Sequence, residues 1–512
     1  MRQTASEQAG QVRQTASDMG RLMKHSTIYL VGGMLNRIGV FLLLPVYTSY
    51  LTLAEYGALE LFYATAAVAS GILSVGLAHA TLRFYFEYDD EVDRTLVVST
   101  NLVLGTAMAA TGAVAIVLFR AQLSQALFGS PIAATGLAIL AATMVLEVST
   151  QICLGYVRAR EASTVFLRVV LSRLVVQVAV NTYMVIGLGA GVLGVLAGNG
   201  VSVGVGLLIA GFYTVRRCGL RIDLAKAGPI MRYSLPFLGS TLVGLVASNV
   251  DRLFIRKLLS FEALGLFALA LKFSRLPEQL IGEPFSRAYG PFRFSVMHQE
   301  NAAPIQARVV RLLLAATLFA ALGIQFFAID VLRWMSDASF RGATVYLPPL
   351  LLAAVLRVIT YPLQTGILVQ RETQQLFRIN LLQSALYIVS SLVLIRSMGV
   401  FGVCLAMTMT ALVTMLATDR VAQQYFPVRY EWDRIARIVL IFVGALSVGW
   451  PLVAVDSFAV MLAKAAVLAA FCVALACSEA FDDTERALAR GWIADRFAGF
   501  TDGRMPARQE GA

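Results

Sequence analysis

The chain has 512 residues, 58% of them hydrophobic and 14% charged, with a formal net charge of +11 and a mean hydropathy of +0.73. A soluble globular chain is roughly 45–50% apolar and about 25% charged, and one hydrophobic core stops growing beyond roughly 250–300 residues. The apolar surplus has to face lipid, which excludes a soluble enzyme, a nucleic-acid-binding module and a disordered scaffold.

Residues 1–26 are polar and read as a cytoplasmic tail, with Arg-Gln-Thr-Ala-Ser at 2–6 and again at 13–17. A long polar stretch ahead of a full-length apolar run is unlike a cleavable signal peptide. Fourteen stretches then reach the ~20 residues that cross a bilayer. They lie near 27–50, 59–80, 95–119, 133–156, 165–187, 191–213, 235–258, 263–289, 309–331, 346–368, 377–396, 399–420, 436–455 and 458–479. These predict an all-α polytopic membrane protein. With the N-terminus in the cytoplasm, 29 of the 42 Lys and Arg fall in cytoplasmic segments, 6 on the far side and 7 inside spans. Both termini are therefore expected inside. The Arg216, Arg217, Arg221, Lys226, Arg232 run between spans six and seven reads as plain topology in preference to a phospholipid-headgroup contact.

The spans contain a repeat. Gly191-Val-Leu-Gly-Val at the start of span six matches Gly399-Val-Phe-Gly-Val at the start of span twelve, 208 residues later, and the same offset relates Gly57 to Gly265. Arg160-Glu161 after span four recurs as Arg371-Glu372 after span ten, offset 211. A duplicated six-span unit gives two halves of the same orientation, related by an axis along the membrane normal. The expected organisation is a tail 1–26, an N-lobe 27–213 holding spans 1–6, and a basic inter-lobe linker 214–232. A C-lobe 233–421 follows with spans 7–12, then a loop and the hairpin of spans 13–14 at 422–480, and a cytoplasmic tail 481–512. In that last tail Leu488, Trp492, Phe497 and Phe500 have the spacing of a short helix lying on the membrane surface.

Ionisable groups inside spans are costly and by default face a cavity or a partner. The basic ones are Arg37, Arg173, Arg252, Lys272, Arg275, Arg357 and Lys464; the deep acids are Glu147, Asp251, Glu278 and Glu283. The excess of cations predicts a net positive interior. In span eight, Lys272, Arg275, Gln279, Gly282, Glu283 and Ser286 fall on one stripe at helical spacing, and Pro277 and Pro284 predict a kink beside a cavity. Asn36 and Arg37 in span one, and Arg357 with Thr360, Tyr361 and Gln364 in span ten, read as further cavity walls. Adjacent Asp251 and Arg252 point about 100° apart on a helix and are not expected to pair with each other. Glu147 and Arg173, at similar depth on neighbouring spans, read as a structural ion pair, with Gln177 and Asn181 continuing its stripe. Lys464 is expected to snorkel.

Some chemistry is missing. No Gly-x-x-x-x-Gly-Lys-Ser/Thr phosphate loop occurs, and Gly189-Ala-Gly-Val-Leu-Gly194 joins two spans and follows no strand. The glycines of span six (Gly194, Gly198, Gly204) read as close helix packing. The cysteines 153, 218, 404, 472 and 477 have no metal-type spacing and read as buried apolar fillers. The histidines 25, 79 and 298 are too scattered for a metal site.

Tyr50-Leu-Thr-Leu-Ala-Glu55-Tyr56-Gly57, Gly76-Leu77 with Arg83-Phe84-Tyr85, and Tyr233-Ser-Leu-Pro236 followed by Asp251-Arg252, Glu262-Ala-Leu-Gly265 and Lys272 resemble the signature of lipid-linked oligosaccharide flippases. These belong to the polysaccharide transporter family, in the multidrug/oligosaccharidyl-lipid/polysaccharide exporter superfamily. The resemblance covers roughly 25–420. It implies a MATE-like, V-shaped pair of six-helix lobes with a positively charged lumen. It also implies alternating access, and a glycan on undecaprenyl diphosphate carried from the cytoplasmic to the periplasmic leaflet of the bacterial inner membrane. The added hairpin resembles peptidoglycan-precursor flippases, where extra helices form a groove for the lipid tail.

Together these readings assign substrate contacts to Arg37, Arg252, Lys272, Arg275, Arg357, Asn36 and Gln279. Asp251, Glu147, Glu278 and Glu283 are the candidates for ion or proton coupling. A proton or sodium gradient or the membrane potential would drive the cycle, with no cofactor and no metal. The expected partners are the bilayer, the lipid-linked glycan, and the polymerase and export machinery of O-antigen, capsule or exopolysaccharide synthesis. The alternatives are a cation-coupled multidrug exporter of the same fold and a peptidoglycan lipid-precursor flippase. A membrane-embedded glycan polymerase, ligase or acyltransferase would show a large periplasmic loop or a catalytic constellation. A scaffold gains nothing from buried charges.

Overall fold

The computed structural model describes Gly32, Gly39 and residues 41–482, except 75, 132, 298 and 300. Asn36, Arg37, His25, His298 and the 488–500 helix expected in the tail lie outside the described residues. Among the described residues every regular element is helical, and ten helical stretches are long and apolar enough to cross a membrane.

The helices are α1 (Leu44–Tyr50), α2 (Leu53–Ser74), α3 (Leu77–Glu87), α4 (Glu91–Leu118), α5 (Arg120–Phe128), α6 (Ala133–Ala159), α7 (Ser163–Thr182) and α8 (Gly191–Cys218). There follow α9 (Leu224–Ala247), α10 (Val250–Leu258), α11 (Phe261–Ser274), α12 (Glu283–Val296), α13 (Ala302–Met335), α14 (Leu347–Leu363), α15 (Thr365–Val369), α16 (Thr373–Tyr425), α17 (Trp432–Gly449) and α18 (Phe458–Cys477). Expected spans eleven and twelve are the two arms of α16, bent where Gly399 takes φ 59°. Spans seven and eight are broken helices. Ser248-Asn249 separates α9 from α10, and after Pro277 a π-helical turn, Glu278–Gly282, joins α11 to α12.

The chain packs as two compact units, residues 1–269 with 333–343 and 384–406, and residues 270–332 with 344–383 and 407–512. In the first unit α3, α4, α6 and α7 share a core of Leu77, Phe84, Val97, Val148, Ile152 and Val169. Helix α8 lies against α6 and α7 because it is small where they are polar. A Cβ on Gly198 would meet Asn181 Oδ1 at 1.9 Å, and one on Gly206 would meet Arg173 Cδ at 2.6 Å.

The repeat is visible as backbone geometry. After α6, Ala162 N–H donates to Val157 O and Glu161 N–H to Arg158 O, with Glu161 at φ 52°. After α15, Glu372 N–H donates to Ile367 O and Arg371 N–H to Leu368 O, with Arg371 at φ 61°. Both are Schellman turns closed by a left-handed residue. They superpose Glu161 on Arg371, so the sequence match of Arg160-Glu161 to Arg371-Glu372 is one residue out of structural register. Gly191 and Gly399 also correspond, at φ 54° and 59°.

In the second unit the C-terminal hairpin, α17 and α18, is fastened to α13. A Cβ on Gly449 would lie 2.1 Å from Phe326 Cζ, so α17 seats directly on that ring. Lys464 does not snorkel: it is 1% exposed and its Nζ donates to Asp330 Oδ2 at 2.7 Å. An ammonium in hydrocarbon is held more cheaply by a carboxylate on the next helix than by stretching to a distant interface. Lys464→Ala, which strands Asp330, is expected to cost about 3–5 kcal/mol. Thermal unfolding in detergent measures it, and Lys464→Met with Asp330→Leu should recover most of the loss. At the hairpin's other end, Arg308 donates to Asp482 at 2.7 Å, and fully buried Arg311 pairs with Glu431 and, at 3.5 Å, with Asp482.

Hydrogen bonds from Arg308 and Arg434 hold the Asp482 carboxyl down at about 2 from the ordinary 3.8. A lowered folded value means this stabilisation is present above the ordinary carboxylate range and disappears as pH falls through about 2. Asp482→Asn should therefore cost about 1 kcal/mol at neutral pH, the pair being partly solvated. The difference from wild type should vanish in unfolding curves taken at the acid limit.

The cysteines are free, as expected, but Cys472 and Cys477 on α18 are exposed where burial was expected. In a helix this apolar such positions face lipid.

Candidate functional site

Around the start of α2 several segments of the first unit meet in close contact. Thr52 and Glu55 form a reciprocal cap at the start of α2: Thr52 N–H donates to Glu55 Oε2 at 2.9 Å and Glu55 N–H to Thr52 Oγ1 at 3.2 Å. The cap fixes the entry angle of α2, which carries Tyr56 and Gly57 onto the segment opposite. Tyr56 is fully buried and meets Phe340 edge-on, centroids 5.6 Å apart. At Gly57 the backbone of α2 crosses that of α11. A Cβ there would lie 2.0 Å from Phe261 O, and one on Gly265 would lie 2.5 Å from Leu53 O. Thr48 Oγ1 donates to Met335 O at 3.0 Å and Arg256 Nη2 to Phe128 O at 2.6 Å. The motif around Glu55 is thus a helix-entry and helix-crossing device, with no reactive group in it.

Deeper in the same unit, the break between α9 and α10 holds a buried ion pair. Arg252 Nη1 donates to Asp251 Oδ1 at 2.7 Å and to Ser248 O at 2.9 Å, and Tyr387 Oη donates to Asp251 Oδ2 at 2.9 Å. The expectation that Asp251 and Arg252 do not pair is therefore wrong. The 100° rule gives Cβ directions on a continuous helix; here the helix starts at Val250, and a long guanidinium folds back over its first turn. Asp251 is 1% and Arg252 7% exposed, so Arg252 presents no open charge in this state.

The second unit holds a polar cavity of ≈ 140 Å³ bordered by Glu278, Arg357, Tyr361, Gln364, Asn380 and Gln383. Arg357 Nε lies 3.4 Å from Glu278 Oε2, and Tyr361 Oη donates to Glu278 Oε1 at 2.8 Å. The π turn makes this possible. Glu283 N–H bonds back five residues to Glu278 O, which re-phases the helix and seats Gly282 against Val358 and Tyr361. The straight stripe drawn through Lys272, Arg275, Gln279, Gly282, Glu283 and Ser286 is interrupted there. Lys272, Arg275 and Gln279 are half-buried and are not among the residues that line the cavity, and Glu283 lies 3.5 Å from Arg287 one turn on.

The pair expected between spans four and five is present: Arg173 Nη2 donates to Glu147 Oε2 at 2.9 Å, and Gln151 bonds the other oxygen at 2.7 Å. Beside it runs a network that was not anticipated. Gln177 and Asn181 both donate to Asn199 Oδ1, at 2.9 and 3.0 Å. Asn181 also donates to Tyr47 Oη at 2.6 Å, and Asn199 to Tyr63 Oη at 2.8 Å. Asn199, an amide alone in an apolar span between two glycines, was the available signal. Tyr63 and Tyr387 had no such signal in the sequence.

Residues 22–297 match the protein family described as "Polysaccharide biosynthesis protein". Among solved structures, the lipid II flippase MurJ in an inward closed conformation has a TM-score of 0.71 at 13% identity, over 88% of this chain and 98% of that one. A multidrug resistance MATE family transporter of the MOP superfamily, inward-facing, gives 0.63 at 15% identity, over 76% and 94%. A MATE protein in complex with MaL6 gives 0.56 at 15%, over 79% and 95%. No curated protein sequence matches. At these identities the likeness is one of fold: the chain is an all-helical, multi-pass membrane protein built like these transporters.

Proposed function

The chain belongs to the polysaccharide biosynthesis protein family, and on that premise we propose that it is a flippase. It carries undecaprenyl-diphosphate-linked oligosaccharide from the cytoplasmic to the periplasmic leaflet of a bacterial inner membrane, for O-antigen, capsule or exopolysaccharide synthesis. Both termini are cytoplasmic in this reading, with an N-lobe over spans 1–6, a C-lobe over spans 7–12 and an added hairpin. The observation that carries it is the polar cavity of the second unit, where Arg357 is tethered by Glu278 among amides and hydroxyls. A guanidinium with hydrogen-bonding neighbours is what a diphosphate headgroup and its first sugars require, while the polyprenyl chain stays in lipid.

Arg37, Arg252, Lys272, Arg275, Arg357, Asn36 and Gln279 are proposed to supply the cationic, hydrogen-bonding path. The closed end around Gly57 and Gly265 is the periplasmic gate of an alternating-access cycle. Glu278 is the favoured coupling acid, since protonating it would release Arg357 to the substrate; Asp251, Glu147 and Glu283, likewise in ion pairs, are the other candidates. The test is the leaflet location of lipid-linked glycan in cells lacking the protein, probed at the periplasmic face. Inaccessible glycan, restored by wild type and not by Arg357→Ala, supports the reading. Normal surface glycan with raised drug sensitivity would point to an exporter, and an arrest of lipid II to a peptidoglycan-precursor flippase.

A further inference from the structure

The first unit has a second charged feature, on its lipid-facing side. Where α7 begins and α8 ends, a groove of ≈ 700 Å³ opens between the two helices, lined among others by Val165, Arg168, Leu208, Phe212, Arg216 and Arg217. Leu208 is 72% and Phe212 67% exposed, side chains that in a membrane-spanning helix lie against acyl chains. Arg216 and Arg217 occupy the last turn of α8. Their guanidiniums sit over the rings of Phe212 at 5.8 Å and Tyr213 at 4.4 Å, which holds them at the groove mouth. Arg168, across the groove, is near the positive end of α7, where a helix gains nothing from a cation.

No carboxylate lines the groove, and among the described residues none of these three arginines makes an ion pair. Lys226, from the same basic run, behaves differently: its Nζ donates to Asp93 Oδ1 at 2.8 Å. The run is therefore not uniform topology charge. One part is consumed in pairing, and the other is gathered without a counterion above an apolar wall.

We propose that this groove binds an anionic phospholipid, its phosphate among Arg168, Arg216 and Arg217 and one acyl chain along Val165, Leu208 and Phe212. Guanidiniums suit a phosphate oxygen pair, and an interfacial basic cluster attracts anionic headgroups. A soluble phosphate would leave the exposed leucine and phenylalanine unused. A glycan-bearing diphosphate would find no amide or carboxylate here to bond its sugars, since the rest of the lining is aliphatic or aromatic.

The full-length protein is equilibrated in vesicles of equal phosphatidylglycerol and phosphatidylethanolamine, extracted gently, and its retained lipid weighed by native mass spectrometry. Wild type should retain phosphatidylglycerol preferentially, and each arginine-to-alanine change should weaken that retention about fivefold. The triple lysine variant should keep most of it, and added glycerol phosphate should not displace the lipid. Arg168→Gln gives the same reading should an alanine variant be poorly made. Equal retention of the two lipids by wild type, an unchanged preference in the arginine variants, displacement by glycerol phosphate, or displacement by a polyprenyl diphosphate would each overturn the proposal. Glycan flipping is not the readout, so the site stands or falls separately from the transport reading.

Discussion

Arg252→Ala is expected to destabilise the protein by about 3–5 kcal/mol and to abolish glycan export. The substitution leaves the Asp251 carboxylate 1% exposed with the Tyr387 hydroxyl as its one remaining side-chain donor. Removing the charge from both partners removes the orphan. Asp251→Asn with Arg252→Gln should therefore recover most of the thermal stability, because an amide pair can still bridge Ser248 O and Tyr387 Oη. Export separates the two roles that a stability measurement cannot. If Arg252 serves the cationic path, the double variant is stable and remains inactive when surface glycan is assayed. Wild-type surface glycan from the double variant would make Arg252 purely structural and leave Lys272, Arg275 and Arg357 as the path.

That pair also marks where reading the chain as a line runs out. The apolar surplus, the span positions and the small residues of span six follow from length and composition, because lipid imposes one solution on the backbone. The break in span eight was legible from Pro277, but the π turn was not, since the extra residue it accommodates depends on what Gly282 meets on α14. Arg252 reaching Asp251, and Lys464 reaching Asp330, depend on a helix break and on a neighbour 134 residues away; residue spacing carries neither. The repeat shows the same division. Gly57 with Gly265 and Gly191 with Gly399 survive in the sequence because backbone approach or positive φ demands glycine. The left-handed residues Glu161 and Arg371 are held by their turns alone, so chemically unlike residues correspond and the sequence match slips by one.

Gly57→Val is expected to hold open the end proposed above as the periplasmic gate. The backbones of α2 and α11 touch here, and a Cβ on Gly57 would lie 2.0 Å from Phe261 O, a carbonyl that cannot swing aside as a side chain would; a gate that opens must part this crossing. Overpacking of about 1–3 kcal/mol confined to one of two states shifts their ratio by roughly 5–150-fold. The protein should therefore still reach the membrane while export fails. Accessibility makes the shift visible. Ala343, 1% exposed and three residues on from Phe340 in the chain, is replaced by cysteine in a chain whose Cys472 and Cys477 are alanine, and an impermeant thiol reagent is added from outside. The cysteine should be protected with Gly57 in place and labelled with Gly57→Val. Gly265→Val should behave alike, because its Cβ would meet Leu53 O from the other side of the same crossing. Protection and export both unchanged in the two variants would mean that the crossing is not a gate, whatever seals that end of the helices.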